Sequence, residues 1–278
     1  MKSLAGRENV FNGDLARALV RMGHEWVKLD ADVLVELRRL AGRVPTPMSG
    51  LTDKNKRFLR QFDDPEVLKR LYNFPGRLWD EVKRNRKANR YTLAKAQAAL
   101  AVAILCYMPL RLQNLAALAF DHHLFMREGA RATSTLELAA GEVKNRRELA
   151  FDIPSHVAKM IIEYRNLIAP TIIGHRPQRL FVNVDGAPKN QWAVAWLIRT
   201  YLRKRAGITI SAHQFRHLSA KMVLDAEPGS FETVRQFLGH ESLTTTVGAY
   251  AGIDSRRAAR HHQHLVEEAL AAEKPMRR

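Results

Sequence analysis

The sequence predicts a mainly α-helical fold with one small antiparallel β-sheet, an α+β architecture. Apolar residues recur at helical spacing along most of the chain, whereas short strand-like alternation with β-branched residues appears only after Phe120. With 278 residues, 46% of them hydrophobic and 26% charged, the chain has the composition of a globular protein and the length to bury a substantial core.

The first fifty residues predict two helices followed by a linker. One helix covers GDLARALVRMGHEWV, and the second follows Asp30, a residue type favoured at helix N-caps. The segment from Pro45 to Gly50 opposes both helix and sheet. We therefore divide the chain into a helical segment, residues 1–48, and a larger domain, residues 49–278. Because two helices cannot cover their own apolar stripes, we expect the segment to belong to a larger domain whose start is missing.

The larger domain is predicted to be helical on both sides of a single β-hairpin. Thr52 and the pair Asp64 and Pro65 mark helix starts, and a helical run extends from Tyr91 to Tyr107. The strands are ATSTLELAA and RELAFDIP, joined by the charged turn EVKNRR. The later helices are SHVAKMIIEYRNLI, QWAVAWLIRTYLRKR, HQFRHLSAKMVL, SFETVRQFLGH and SRRAARHHQHLVEEALAA.

The charge of the chain indicates a polyanionic partner. There are 45 Lys+Arg against 28 Asp+Glu, a formal net charge of +17. Cations laid on a nucleic-acid backbone release condensed counterions, so such a surplus is typical of proteins that bind nucleic acid. The sequence has no apolar run of about 18 residues and no signal peptide, which predicts an intracellular protein that does not span a membrane. The single cysteine, Cys106, excludes an internal disulfide framework and a thiolate zinc cluster.

Two basic segments lie in the middle of the chain. Arg111 occurs in MPLRLQNLAAL, and an arginine at a helix start is by itself usually solvated or ion-paired. Lys144 lies in the predicted hairpin turn with Arg146 and Arg147, and Arg131 precedes it. A charged hairpin tip can serve solubility alone, and it also has a shape that fits a DNA groove, so both interpretations stay open.

The segment SAHQFRHLSAKM places His213 and Arg216 on one helix face, with His217 four residues after His213. A zinc site here is disfavoured because Gln214 stands where the zinc-protease motif has a glutamate, and because Arg216 would repel a dication. A histidine beside an arginine instead fits an anion such as phosphate.

The segment QFLGHESLTTTVGAYAG contains His240 and Tyr250. Glycine and alanine flank Tyr250, which predicts sparse packing around its ring. A tyrosine at a helix end is ordinarily structural, but this one follows the histidine and arginine of the preceding segment and the LGH turn. That order indicates a functional tyrosine.

Six residues of these segments occur in the order of a known catalytic set: Arg111, Lys144, His213, Arg216, His240 and Tyr250. Their order and intervals resemble those of the tyrosine recombinase, or phage integrase, family. The family pattern is an arginine in an LRxxEL-like segment, a hairpin lysine, H-x-x-R, L-G-H and a tyrosine nucleophile. The likeness runs from about residue 50 to the end of the chain. A lone H-x-x-R is a weak signal, whereas five ordered elements are specific.

Two features depart from the family pattern. Asn114 replaces the usual acidic residue after the first arginine, which concerns the support of Arg111 rather than catalysis itself. Tyr250 lies ten residues after His240, one more than the commoner family interval. Because position 249 is alanine, Tyr250 is the only candidate nearby.

The resemblance implies a tyrosine recombinase-like catalytic domain and a site-specific DNA recombinase or integrase that needs no metal, ATP or other cofactor. Tyr250 would attack a DNA phosphate and form a 3′-phosphotyrosine link. His213 is the expected base, and Lys144 is expected to protonate the leaving 5′-oxygen. The three expected ligands of the phosphate oxygens are Arg111, Arg216 and His240.

The resemblance also implies partners. They are double-stranded DNA and, on DNA, three further copies of the chain in a homotetramer, while the free chain is compatible with a monomer. Residues 1–48 are expected to be the remnant of an N-terminal core-binding domain that clamps DNA. The helical tail is expected to pack on a neighbouring protomer; His261, His262 and His264 in it lack the acidic or cysteine companions of a metal site. We expect a cytoplasmic protein encoded by a bacterium, phage or mobile element.

Two other functions stay open on the sequence alone. A type IB topoisomerase would share nearly the same site, whereas a DNA-binding protein without activity would explain the charge but not the ordered set. The target sequence, and the choice among integration, excision and chromosome resolution, depend on base contacts and DNA deformability that one sequence does not reveal.

Overall fold

The computed structural model describes residues 10–44, 50–84, 88–127 and 133–250, together with positions 259, 262, 263, 266 and 267. Over these residues the fold is mainly helical with one three-stranded antiparallel sheet, which confirms the predicted fold class. The chain divides into two compact units, Met1–Gly50 and Leu51–Arg278. The predicted linker falls mostly outside the described residues.

The first unit contains, in its described part, the two predicted helices, α1 (Val10–Glu25) and α2 (Ala31–Gly42), which pack on one another. Asp30 occupies the N-cap position of α2, but its side chain accepts no capping hydrogen bond from the described residues. Trp26 and Val27 expose more than half of their surfaces, as expected for two helices that cannot cover their own apolar side chains.

The second unit holds the remaining helices of the described chain. Those before the hairpin are α3 (Asp53–Arg60), α4 (Pro65–Arg84), α5 (Arg90–Tyr107) and α6 (Leu112–Ala116). Those after it are α7 (Ser155–Glu163), α8 (Pro170–Ile173), α9 (Gln191–Ala206), α10 (Ala212–Ala226), α11 (Phe231–Leu238) and α12 (Leu243–Tyr250). Thr52 caps α3 as predicted, since its Oγ1 accepts from the N–H of Asn55.

Helix α5 forms the centre of the core. Every residue from Ala96 to Leu105 is at most 2% exposed, and the helix packs against α4, α7, α9 and α10. A helix that is apolar on all sides belongs in the interior of a domain. It ends at Met108, so the segment that carries Arg111 leaves directly from the core.

The sheet has the order β1-β2-β3, with β1 at Leu124–Phe125, β2 at Ser134–Leu138 and β3 at Leu149–Ile153. Strands β2 and β3 are the predicted hairpin, whereas the two residues of β1 are too few to show alternation in the sequence. Leu136, in the middle of β2, pairs with a residue on each neighbour. The sheet thereby fixes the base of the β2–β3 connection, which carries Lys144.

Most of the predicted tail helix lies outside the described residues, as do Arg131, His261 and His264. Positions 259, 262, 263, 266 and 267 are helical and exposed. Among the described helices, none is both long enough and apolar enough to cross a membrane.

Candidate active site

All six predicted catalytic residues lie in described parts of the second unit. Arg111 is the N-cap of α6, Lys144 lies between β2 and β3, His213 and Arg216 lie on α10, His240 follows α11, and Tyr250 is the last residue of α12. A capping box starts α10, in which Ser211 accepts from the Gln214 N–H and the Gln214 side chain accepts from the Ser211 N–H. This start sets the register in which His213, Arg216 and His217 follow.

Arg216 connects two segments of the site. It is 3% exposed, and its guanidinium donates to the carbonyls of Pro109 and Leu238, each at 2.6 Å. These carbonyls lie two residues before Arg111 and His240, so the buried arginine holds both segments beside α10. Burial, and then the positive charge of Arg111, lower the pKa of Arg216 to about 10, which leaves it a cation at neutral pH.

Arg111 offers a free donor at the same place. Its side chain is half-buried, and among the described residues its Nη1 is a buried atom that has no hydrogen-bond partner. Desolvation lowers its pKa, since burial penalises a charge that no partner offsets. No buried carboxylate occurs among the described residues, so the two guanidinium groups lack an internal anion. The pair has the character of an anion-binding site.

Tyr250 is buried, which makes the predicted sparse packing wrong. It is only 2% exposed, because α12 packs on α11 and places the ring in the core. Burial raises the pKa of the phenol to about 12, although the charge of Arg216 acts in the opposite direction. The small residues beside Tyr250 in sequence therefore say nothing about the packing of its ring in space.

The histidine next to the tyrosine hydroxyl is His217 and not His213. The Nδ1 of His217 lies 2.9 Å from Tyr250 Oη, whereas the described structure has no hydrogen bond between His213 and Tyr250. His213 is exposed, and its ring meets the edge of His217 with centroids 4.6 Å apart. Partial burial, followed by the charges of Arg216 and Arg111, lowers the pKa of His213.

His240 lies beside the ring of Tyr250. The two rings are parallel with centroids 6.3 Å apart, and His240 Nδ1 is 2.9 Å from Oγ1 of the buried Thr246. Burial first, and then the charges of Arg216 and Arg111, lower the pKa of His240 to about 4. The imidazole is therefore neutral near pH 7 and carries an N–H that it can donate.

Lys144 stays apart from the other five residues. Its side chain is exposed, and the described structure gives its ammonium no hydrogen bond or ion pair with them. Its loop is nevertheless tied to the site, because Asn114 Nδ2 donates to the Glu142 carbonyl at 2.9 Å and Asn145 Nδ2 donates to the Gly239 carbonyl at 2.6 Å. Asn114, which replaces the acidic residue of the family pattern, thus supports the lysine loop.

The remaining two predicted DNA contacts lie beside Lys144. Arg146 and Arg147 are exposed, and Arg146 has a left-handed backbone with φ 48°. The pKa of Glu232 on α11 is lowered chiefly by hydrogen bonds from Arg235 and Gln236, and the charge of Arg147 adds to this effect. The structure brings these arginines to the surface near the loop but gives them no direct contact with Tyr250 among the described residues.

One cluster of described residues has the donor types of a metal site: His122, His123 and Glu142, whose ligand atoms all lie within 4.8 Å of one another. The backbone N–H of Ala119 donates to His123 Nδ1 at 3.0 Å, so the neutral ring carries its proton on Nε2. That Nε2–H donates to Glu142 Oε1 at 2.9 Å and presents no lone pair to a metal. In this arrangement the cluster anchors the Lys144 loop instead of offering three ligands.

Comparison with known proteins identifies relatives of the second unit. The model of the phage integrase family matches residues 78–257, which is more than half of the chain. Two curated relatives are the tyrosine recombinase XerC of Staphylococcus carnosus (strain TM300), 32% identical over 89 residues, and that of Staphylococcus haemolyticus (strain JCSC1435), 33% identical over 79 residues. The matches cover 32% and 28% of this chain and only 29% and 26% of the relatives' lengths.

Among solved structures, the fold is similar to that of the XerH site-specific recombinase bound to its palindromic difH substrate in a post-cleavage complex. The TM-score is 0.52 at 19% sequence identity, and the likeness covers 71% of this chain and 51% of that one. The pre-cleavage complex of the same recombinase gives a TM-score of 0.50 at 18% identity, covering 74% and 50% of the two chains. At these identities the likeness shows a common fold.

Proposed function

The chain belongs to the phage integrase family, and from this premise we propose that it is a site-specific DNA recombinase. It cuts and rejoins double-stranded DNA through a covalent 3′-phosphotyrosine intermediate, without metal and without ATP. The observation that carries the proposal is the buried Nη1 of Arg111, which lacks a partner among the described residues and lies within electrostatic reach of Arg216, the neighbour of Tyr250. A DNA phosphate supplies the anion that this arrangement lacks.

Tyr250 is the nucleophile. Its phenolic oxygen attacks phosphorus, forms a tyrosine–phosphate ester and breaks the bond from phosphorus to the 5′-oxygen of the next nucleotide. His213 takes the phenolic proton, and Lys144 gives a proton to the departing 5′-oxygen. Rejoining reverses these steps with the 5′-hydroxyl of a partner strand, so no external energy source enters.

Three donors stabilise the pentacoordinate phosphorus. Arg111 and Arg216 bind the non-bridging oxygens, and the neutral imidazole of His240 donates a further N–H. The carbonyl bonds of Arg216 fix its guanidinium before DNA arrives, so little reorganisation is needed during the reaction. Removal of one such preorganised donor typically lowers the rate by about 10²–10³.

The positive charges around Tyr250 support a mechanism without a metal ion. The guanidinium groups fill the role that magnesium has in many phosphoryl-transfer enzymes. The charged side chains that act on Tyr250 and the site histidines are arginines and histidines. A dication would be repelled there, whereas a phosphate is attracted.

Three further proposals concern partners and domains. Arg146 and Arg147 contact the DNA backbone beside the cleavage point. Residues 1–48 belong to a helical domain that contacts the duplex together with the catalytic domain, residues 49–278. Four copies of the chain assemble on two duplexes to exchange strands.

Covalent trapping tests the proposed chemistry. We would incubate the protein in EDTA with a pool of nicked suicide duplexes of randomised sequence and separate the adducts that survive SDS. Wild-type protein should form adducts in the chelator, and Tyr250→Phe should bind the pool but form none. Adduct that disappears in EDTA and returns with magnesium would contradict the metal-free mechanism. Undiminished adduct with Tyr250→Phe would place the nucleophile elsewhere.

Duplexes that carry a sequence recovered from the adducts then distinguish DNA recombination from relaxation of supercoiled DNA. Two duplexes that carry a selected sequence should exchange strands and give recombinant products. Sustained relaxation of a supercoiled plasmid without that sequence, in the absence of recombinants, would instead identify a topoisomerase.

A further inference from the structure

The capping box at the start of α10 fixes the orientation of two side-chain amides, first that of Gln214 and through it that of Asn55. Gln214 Oε1 accepts from the backbone N–H of Ser211 at 2.9 Å and from Ser211 Oγ at 3.1 Å. A backbone N–H can only donate, so the oxygen of the Gln214 amide must face Ser211. Its Nε2 therefore faces away from the cap, towards Asn55 on α3.

The orientation passes from Gln214 to Asn55 and then to His217. Gln214 Nε2 donates to Asn55 Oδ1 at 3.5 Å, which leaves Asn55 Nδ2 facing His217 Nε2 at 3.4 Å. Because Nδ2 only donates, His217 Nε2 must be the acceptor and carries no proton. A neutral imidazole then has its proton on Nδ1, the atom 2.9 Å from Tyr250 Oη.

We propose that Ser211, Gln214 and Asn55 form a relay that fixes His217 as an Nδ1–H donor to the phenolic oxygen of Tyr250. In this arrangement His217 is a catalytic residue that stabilises the developing phenolate, and it cannot act as the general base. Gln214 and Asn55 are positioning residues that act through it. The inference rests on the proposed role of Tyr250 and deepens it.

Two further observations agree with this arrangement. Burial first, and then repulsion from the protonated form of His213, from Arg216 and from the protonated form of His240, lower the pKa of His217 to about 4, so the ring is neutral at physiological pH. Asn55 lies outside residues 78–257, the part of the chain that the family model matches. The relay therefore uses a residue that the catalytic motif does not contain.

The relay assigns the proton transfers. The phenolic proton of Tyr250 cannot go to His217 Nδ1, which already carries one. It leaves to a different acceptor, for which His213 is the candidate, while the Nδ1–H of His217 strengthens its bond to the oxygen that becomes negative. One histidine thus removes the proton and its neighbour holds the resulting charge.

The substitution Gln214→Glu reverses the relay without removing the helix cap. A glutamate at this position still accepts from Ser211, since it is the usual partner in a capping box. It cannot donate to Asn55, so the Asn55 amide turns, its Oδ1 faces His217, and the His217 proton moves to Nε2. Tyr250 then loses its donor. Gln191→Glu, which adds the same charge in the first turn of α9, is the matched control.

Nitrogen NMR of ¹⁵N-histidine protein gives the decisive readout, with the His217 signals assigned by their loss in His217→Asn. We expect the proton on Nδ1 in the wild type and in Gln191→Glu, and on Nε2 in Gln214→Glu. A wild-type proton on Nε2, or an unchanged tautomer in Gln214→Glu, would overturn the relay. This readout needs no DNA, so it stands whether or not the recombinase proposal holds.

The rate of adduct formation on the nicked duplex pool gives the second readout. Loss of a donor to the phenolate raises the Tyr250 pKa, so the pH–rate profile of Gln214→Glu should move upward by about one unit, a roughly tenfold loss at neutral pH. Binding of the pool should not change. Equal profiles for both variants would overturn the catalytic role of His217. Absence of adduct in the wild type would instead contradict the proposed function.

Discussion

At the scale of single residues, the surroundings of Tyr250 disfavour the negative charge that its phenolic oxygen must acquire as the proposed nucleophile. Burial holds the Tyr250 pKa at about 12, and the charge of Arg216 acts in the opposite direction. The free enzyme therefore keeps the phenol protonated. In the proposed mechanism, an arriving phosphate occupies the free donor of Arg111, and deprotonation then accompanies attack instead of preceding it.

The site histidines make the fold sensitive to mild acid. The pKa values of His217 and His240 fall from 6.5 to about 4 on folding, so the unfolded chain binds more protons than the folded chain between these limits. The stability they contribute is complete above pH 6.5 and is lost as the pH falls towards 4. We expect the thermal unfolding midpoint to fall across this window.

The substitution His217→Asn supplies the control for this prediction, because it removes one of the site histidines whose pKa is lowered. Its unfolding midpoint should depend less steeply on pH than that of the wild type. Glu142 and Glu232 have carboxyl pKa values of about 2 in the folded protein. Their protonation therefore changes stability only below pH 4.5 and leaves the slopes of the two proteins above that pH comparable. An equal slope in both proteins would contradict the buried, neutral state of His217.

At the scale of elements, the β2–β3 loop that carries Lys144 is tied to the site, but within the described chain the lysine side chain has no hydrogen bond or ion pair with the other five site residues. The bonds from Asn114 and Asn145 fix the loop on both sides of the lysine. The ammonium remains exposed, which would leave it free to follow the leaving oxygen of a DNA strand in the proposed mechanism. A fixed loop with an exposed lysine side chain is the arrangement expected of a general acid that donates one proton in each cleavage.

Chemical rescue tests the role of Lys144. Lys144→Ala should lower the cleavage rate by about 10²–10⁴, the usual contribution of a general acid. A duplex with a 5′-bridging sulfur should restore the rate, because a thiolate leaves without a proton. Lys69→Ala, an exposed lysine on α4, should cleave both duplexes normally. Failure of the sulfur substrate to restore Lys144→Ala would assign the lysine another role.

Elements differ in how well their sequences predict them. The length of its continuous apolar run predicts α5, and the structure adds a cap at Asn89. Hydrophobic periodicity does not predict α12, whose sequence LTTTVGAY is rich in residues with low helix propensity. That helix depends on contacts that form only in the fold, such as those of Thr246 with His240 and of Tyr250 with His217.

The same distinction applies to the site. The order of the motifs predicts which segments meet, because each segment carries a residue type that phosphate chemistry requires. It does not predict that His217 contacts Tyr250, which lies 33 residues away, or that Asn145 reaches Gly239, which lies 94 residues away. Those contacts depend on how α10, α12 and the hairpin pack. The sequence therefore did not reveal that the histidine in contact with the hydroxyl is His217, and the assignment of His213 as the base stays a prediction.

At the scale of the whole molecule, the net charge of +17 divides into two groups. In the proposed mechanism a few cations, among them Arg111, Lys144 and Arg216, act on one phosphate and should affect the rate. The many exposed cations would act on the remaining DNA backbone and should affect affinity and its dependence on salt.

A substitution at Arg146 tests this division between cations that affect the rate and cations that affect affinity. The substitution Arg146→Asn removes one surface charge, and asparagine tolerates the left-handed backbone at this position. We expect weaker duplex binding and a salt dependence reduced by about 0.9 in the slope of log K against log salt. Adduct formation at saturating DNA should keep its wild-type rate, and a large fall in that rate would place Arg146 in the catalytic set.

The central claim is that Tyr250 becomes covalently joined to DNA. Digestion of a trapped adduct with protease and nuclease, followed by mass spectrometry, identifies the residue that carries the nucleotide. We expect the added mass on Tyr250, with the attached nucleotide linked through its 3′-phosphate. Attachment to any other residue, or a linkage through a 5′-phosphate, would contradict the account.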